Sequence, residues 1–424
     1  MSWKSRFVLL TSGAVVAHIA VAVPPKVEQK VTGPVATYWM SAATTSGSGI
    51  GAMGMGGGQG GGRPSMGDVM RMMRGGNQIT HTLNLQLGSS QTASDPAADH
   101  TPGTFAPLPL VTPKVAPPPM PEETVEEQPT MPERPKGRML IYWGCGEHAG
   151  PGQPYVIDFS KIGAGQAMPR FPFIPVHHQN PPSPGRYKTY GEWPNGRSRA
   201  EPPASLAGDH VVRGNYSPEI RFALPAGKDY MPPLVMNANG KSPAGATLLG
   251  WQPVAGATGY FAAMFGASPG GNGDATIVMW SSSALQTFAG GGLLDYLAPA
   301  EVRRLIGQKV VMPPSQTQCA IPAEVTNAAP MGMLSMIAYG DEANFADPPR
   351  PADPRTPWNI RWTTKVRYKS TSGLMLGMPA MGGGMARGGA PDTDDEGSGP
   401  QSPPPKKKGG LFGKLKDAAG VIPH

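Results

Sequence analysis

In ITHTLNLQLGSS, residues 79–90, Ile79, Leu83, Leu85 and Leu87 fall on one side of an extended chain and Thr82, Asn84 and Gln86 on the other. A period of two, with one apolar and one polar side, predicts a half-buried β-strand. Upstream, across a Gly/Met tract from Gly47 to Gly76, KVTGPVATYWMSAAT (30–44) predicts a second strand beginning after Pro34. Val35, Thr37 and Trp39 share one of its faces and Ala36, Tyr38 and Met40 the other. Both faces are mixed, so this reading rests on β-favouring residue types. The two strands are expected to pair, leaving the tract as a long loop.

Downstream, residues 89–136 are rich in Pro, Thr, Ser and Glu and show no apolar period. They predict a linker, partly extended as polyproline II. Order is expected again at RMLIYWGCGE (138–147), where Met139, Ile141 and Trp143 alternate with Leu140, Tyr142 and Gly144. Both faces are apolar, as in a strand covered on both sides. YVIDF (155–159), EIRFALP (219–225) and TIVMWSSSA (276–284) read as further strands, with a long ordered loop system over 165–218. MGMLSMIAYGDEANF (331–345) and WNIRWTTKVRYKS (358–370) read as a final strand pair. The best helical pattern in the core is PAEVRRLIGQ (299–308), with Pro299 at its start, a stripe of Val302, Leu305 and Ile306, and Gly307 to stop it.

The expected fold class is therefore mainly β: one or two β-sandwich-like units, Gly/Met-rich and Pro-rich disordered connectors, and a short C-terminal amphipathic helix. The expected divisions are a signal peptide (1–22), N-terminal strands around the Gly/Met loop (23–88), the Pro-rich linker (89–136), a first β unit (137–230), a second β unit (231–370), a low-complexity tether (371–410) and a basic amphipathic tail (411–424).

Within the second unit, LGWQPVAGATGY (249–260) has a Trp, a Pro two residues on, a Gly-Ala-x-x-Tyr turn and an apolar continuation. This stretch resembles the strand–turn–strand that opens fibronectin type III domains. The resemblance implies an immunoglobulin-like sandwich with Trp251 and Tyr260 stacked at its centre, and a binding or spacing module rather than a catalyst.

The first 22 residues read as an export signal. Lys4 and Arg6 form a basic start, Phe7 to Val16 is uncharged and largely apolar, and Ala20-Val21-Ala22 has the small-x-small pattern of a cleavage site. The apolar stretch falls short of the roughly 20 residues a membrane span needs. The expected location is the periplasm or cell envelope of a bacterium. Of the net charge of +7, Lys4 and Arg6 account for +2 and the last 24 residues for +4, which leaves +1 for the rest. No basic run lies along a folded segment, so nucleic acid is not an expected partner. Cys145 and Cys319 are the only cysteines. In an oxidising compartment they can form one disulfide, the alternative being two separately buried thiols.

Motifs that carry chemistry are few. The chain has no G-x-S-x-G, H-E-x-x-H, P-loop or C-x-x-C pattern. Cys145-Gly146-Glu147-His148 gathers potential ligands, but neighbours on a strand point to opposite faces, which makes it a poor metal site. His177 and His178 lie in a Pro-rich loop, where surface polarity is the simpler reading. An acid–base pair such as Glu147 and Asp158 would support a hydrolase acting on envelope polymers, provided both face one cleft. Tyr187, Tyr190 and Trp193, with Phe171 and Phe173, form an aromatic-rich stretch that either recognises a sugar or peptide or is buried. Ten of the 24 methionines cluster in two Gly-rich tracts: Met53, Met55, Met66, Met70, Met72 and Met73 in one, Met375, Met378, Met381 and Met385 in the other. Thioethers select Cu(I), so copper handling is one reading. An adaptable apolar contact surface is the other. No cofactor is expected.

In LFGKLKDAAGVI (411–422), Leu411, Phe412, Leu415 and Ile422 share one face of a helix, with Lys414 and Lys416 toward the other. A short basic amphipathic helix on a tether is suited to an anionic membrane surface or a partner groove, folding on contact. The expected function is thus a non-enzymatic, envelope-associated binding or scaffold protein, docked through this tail on an envelope protein or an anionic membrane. Periplasmic copper handling and hydrolysis of envelope polymers are the alternatives.

Overall fold

The computed structural model describes residues 28–47, 79–113, 137–159, 161, 174–195, 201–269, 274–287 and 292–377. The alternating segments assemble into a nine-stranded mixed sheet. In spatial order it runs β7 (Tyr155–Asp158), β6 (Gly137–Trp143), β14 (Ala275–Ser281), β13 (Gly259–Pro269), β16 (Gly332–Asp347), β18 (Trp362–Leu376), β2 (Ala36–Gly47), β3 (Thr80–Ser89) and β8 (Thr189–Trp193). A four-stranded sheet has the order β10 (Ile220–Leu224), β9 (Gly208–Gly214), β4 (Ala98–Pro102), β5 (Leu108–Leu110). A three-stranded sheet has the order β11 (Met236–Lys241), β12 (Thr247–Trp251), β15 (Gln318–Ile321), and β1 (Val31–Thr32) pairs with β17 (Trp358–Asn359). The described residues include two helices, α1 (Pro299–Gly307) and α2 (Ala323–Ala328). The protein is mainly β.

The expected pairings across the glycine tract, β2 with β3, and at the end, β16 with β18, are antiparallel ladders. Two further ladders are parallel and join segments distant in sequence: β2 lies beside β18, and β6 beside β14. The expected division at residue 230 therefore does not separate two sheets, because β6 and β7 on one side of it share a sheet with β13, β14, β16 and β18 on the other. β4 and β5 fall inside the expected linker 89–136, and β8 and β9 inside the expected loop system 165–218. They are short, and the buried positions of β4 are His100 and Pro102, so no hydrophobic period marks it.

One face of the large sheet is sealed. Tyr38, Met40, Leu83, Leu85, Leu87, Trp280 and Val366 pack in one buried cluster with residues of the two smaller sheets, among them Val212, Phe222, Leu249 and Ile321. Apolar burial of this extent supplies the main driving force for folding. Trp251 and Tyr260 lie in it with ring centroids 5.5 Å apart, and the Val254 N–H donates to Tyr260 Oη at 2.9 Å. Tyr38, His100 and His210 form a polar string here, with Tyr38 Oη 2.9 Å from His100 Nδ1 and His100 Nε2 2.9 Å from His210 Nδ1. It ends with His210 Nε2 2.7 Å from the Leu206 carbonyl oxygen.

The opposite face is divided. Under α1, Ile141, Met279, Phe261 and Ile337 pack on Val302, Leu305 and Val310. Beyond them, on β18, β2 and β3, the same face turns polar. Cys145, just past β6, is bonded to Cys319 of β15 with an S–S distance of 2.11 Å, tying the large sheet to the three-stranded one.

Candidate functional site

Every second residue of β18 from 365 to 369 is a cation, and register sets what each one meets. Lys365, Arg367, Lys369 and Thr371 lie opposite Trp39, Ser41, Ala43 and Thr45 of β2. Ser41 and Ala43 in turn lie opposite Asn84 and Thr82 of β3. On the other flank the register with β16 shifts by one residue between Tyr339 and Glu342. Such a β-bulge reverses which residues point to a given side. It puts Glu342 on the same face as Tyr339 and directly opposite Arg367. Gly340 sits within the bulge, where a Cβ would lie 2.6 Å from the Tyr368 carbonyl oxygen. No real side chain tolerates that approach, so the bulge requires glycine.

The result is a ladder in which cations alternate with rings. Lys365 Nζ donates to Glu342 Oε2 at 2.6 Å and lies 5.4 Å from the Trp39 ring centroid. Arg367 Cζ is 5.0 Å from the Trp39 centroid and 4.3 Å from that of Tyr296. Lys369 Nζ is 4.3 Å from the Tyr296 centroid and donates to Asp295 Oδ1 at 3.1 Å. Each stack is a cation–π contact, and such contacts strengthen as water is removed. Burial pushes the Lys369 ammonium down from its ordinary value, opposed by Asp295. It also pushes the Tyr296 phenol up.

Two of the three cations have a carboxylate, and Arg367 does not. Its Nε donates to Ser41 Oγ at 2.7 Å, its only hydrogen bond among the described residues. No carboxylate of those residues lies within ion-pair distance of it, yet it is only 8% exposed. Burial lowers its pKa, although a guanidinium stays charged at any physiological pH. Asp295 and Glu342 attract it only from beyond ion-pair distance, and a buried cation without a direct ion pair is costly; the fold places it on the wall of a cavity of about 360 Å³. Ser41, Asn84, Gln179, Tyr296 and Lys369 also line this space. Gln179 Oε1 is buried there with no hydrogen-bond partner among the described residues.

The far wall, which includes His178 and Gln179, is held in place by α1. Glu301 accepts from the His177 backbone N–H at 2.9 Å and lies 3.0 Å from His177 Nδ1. Arg304 donates from Nε to Glu301 Oε2 at 2.8 Å and from Nη2 to the Pro175 carbonyl at 2.6 Å. The Arg304 guanidinium, with help from His177, holds the Glu301 carboxyl down at about 2.

The residues singled out from sequence fall elsewhere or outside the described residues. His148 Nδ1 lies 3.0 Å from Glu324 Oε1, and Cys145 is in the disulfide, so Cys145-Gly146-Glu147-His148 is a fastening rather than a ligand cluster. Glu147 and Asp158 do not converge. Asp158 is opposite Arg138 at one end of β6, and Glu147 follows the other end, roughly 17 Å of strand away. Tyr190 and Trp193 are buried, and Tyr187 packs over Gly88. His177, read as surface polarity, has its side chain 71% exposed, with Nδ1 3.0 Å from Glu301 Oε2. Of the ten clustered methionines Met375 is described, on β18 opposite Met333. The other nine, Phe171, Phe173 and the tail residues Leu411, Phe412, Lys414, Leu415, Lys416 and Ile422 lie outside the described residues. Among the described residues no three of His, Cys, Asp and Glu gather as metal ligands.

Sequence reasoning missed Arg367, Lys369, Asp295, Tyr296 and Gln179. The available signal was K-x-R-x-K within a β-patterned segment, which is ordinarily read as a solvated strand face. Comparison of the chain with known protein families, with curated proteins and with solved structures returned no match.

Proposed function

We propose that this chain is an exported, envelope-associated binding protein, non-enzymatic, that holds a small polar ligand on the open face of its large sheet. The observation that carries this reading is Arg367: a buried guanidinium with no carboxylate of the described residues within ion-pair distance, on the wall of a cavity of about 360 Å³. The Trp39 and Tyr296 rings and Ser41 Oγ stabilise the guanidinium in part, and a ligand carboxylate would supply the direct ion pair it lacks. Asp295, the carboxylate on the cavity wall, accepts from Lys369 Nζ and from the Tyr296 backbone N–H. It is thereby engaged as a fixed countercharge, an arrangement suited to holding a ligand rather than transforming it.

Export is supported by the signal-like first 22 residues and by a disulfide of the kind an oxidising compartment permits. Docking is supported by the basic amphipathic pattern at 411–422, suited to an anionic membrane surface or a groove on an envelope protein. The test is fractionation of cells expressing either the full chain or a version ending at Pro405, with cross-linking before lysis. The full chain should sediment with envelope membranes and the shortened one should be released. Release of both would remove the docking half of the reading, and retention of both in the cytosol would remove export.

A further inference from the structure

Resting on the cavity being a binding site, we propose that its ligand is a hydroxylated monocarboxylate of about a dozen non-hydrogen atoms, in the class of hexuronic acids. The carboxylate would sit on Arg367 and a hydroxyl on Gln179 Oε1.

Charge sets the first constraint. Lys365 is neutralised by Glu342 and Lys369 by Asp295, which leaves a single positive charge, on Arg367. A ligand with one negative charge balances this ladder. A phosphate monoester carries about −1.5 to −2 at neutral pH and would press its excess against Asp295 and Glu342.

Geometry sets the second. The rings of Trp39 and Tyr296 both lie against the guanidinium, with centroids 5.0 and 4.3 Å from Cζ, so its N–H edge is where a ligand's oxygens would bind. With Nε occupied by Ser41 Oγ, the terminal N–H groups remain, a planar donor pair that matches the two oxygens of a carboxylate. The flanking rings also hold the side chain in one orientation, so little rotamer freedom is lost on binding.

The remaining wall asks for hydroxyls. Gln179 Oε1 is an acceptor with no donor, and a ligand O–H supplies one. Ser41 Oγ already accepts from Arg367 and keeps its own proton to donate. Asn84 and Thr82 add an amide and another hydroxyl to the same wall. Apolar acids would strand these groups. A volume of about 360 Å³ has room for one six-carbon sugar acid.

The test is calorimetric titration of the full exported chain with D-glucuronate, D-glucose and glucose 6-phosphate, each to about 10 mM, on the native protein and on R367Q. Glucuronate should bind at least about tenfold more tightly than glucose, and R367Q should abolish that preference. Equal affinity for glucuronate and glucose would overturn the carboxylate while leaving the cavity a binding site. Tightest binding of glucose 6-phosphate would overturn it in favour of a phosphate. Failure of all three to bind would overturn the ligand class. The thermal midpoint of ligand-free R367M then separates the two readings. An unchanged or raised midpoint fits a charge kept for some other ligand. A clear loss makes Arg367 a structural residue, and the binding reading falls with it.

Discussion

The two faces of the large sheet each bury polar groups, and they do so to opposite ends. On the sealed face every member of the string has its partner. His210 Nε2 faces a carbonyl oxygen and must carry a proton, which leaves Nδ1 as an acceptor for His100 Nε2–H. His100 Nδ1 is then an acceptor for the Tyr38 hydroxyl. One tautomer of each ring satisfies the whole string, so both histidines are held neutral. Burial lowers the pKa of each, and His210 lowers that of His100 further. On the open face the ladder of Lys365, Arg367 and Lys369 is one carboxylate short and opens on a cavity. A satisfied network specifies one core, and an unsatisfied one of this kind is retained only where something else completes it.

The largest expected effect comes from breaking the closed string. H210A leaves the His100 Nε2–H without an acceptor, removes the ring stacked 4.8 Å from Phe222, and opens a cavity between sheets. The loss should be on the order of 3–5 kcal/mol in urea unfolding, close to the whole stability of many domains. A loss below about 1 kcal/mol would mean that water completes the string and that the face is not sealed.

Acid should attack the same string next. The folded pKa values of His100 and His210 are depressed, so the unfolded chain binds protons first as pH falls. Their contribution is fully present above the unfolded value of about 6.5 and is lost below it, by up to about 1.4 kcal/mol per pH unit for each ring that stays neutral. Unfolding free energies at pH 7.5, 6.0 and 5.0 should fall across this window in the native protein and stay level in Y38F/H100L/H210L. The Glu301 carboxyl, held at about 2, contributes stability that is lost only below about 4.5. The two effects therefore separate on the pH axis.

How much of this was legible in the sequence follows the same division. Where a strand buries apolar residues on alternate positions, as at Leu83, Leu85 and Leu87, or on both faces, as at Met139 to Tyr142, the pattern named the strand and its inward side. α1 was legible from its Pro299 start and its stripe. Parallel pairing of β2 with β18 was not, because nothing local in either strand records a partner more than 300 residues away. β4 was hidden because its buried residues are a histidine and a proline. The cavity was hidden for a related reason. K-x-R-x-K alternates as a solvated strand face would, and what covers that face comes from elsewhere: Glu342, brought round by a one-residue bulge at Gly340, and Asp295 and Tyr296 from another segment. Polar residues that are buried because they pair with one another leave no hydrophobic signature.

The finest comparison lies between two adjacent threonines of β2. Thr44 points to the sealed face, where its hydroxyl donates to the Met231 carbonyl at 2.7 Å. Thr45 points to the open face, where its hydroxyl lies 3.1 Å from that of Thr371 beside the cavity. The substitutions T44V and T45V make the same change of shape at adjacent residues of one strand. What differs is the group left behind. T44V strands a carbonyl in a dry core and should cost about 1–2 kcal/mol. T45V leaves a hydroxyl at a cavity wall that water reaches, and should cost no more than about 0.5 kcal/mol. Paired urea melts of the two variants measure the difference directly. Equal costs would mean that both faces are equally closed, and Arg367 would then be buried with nothing able to reach it.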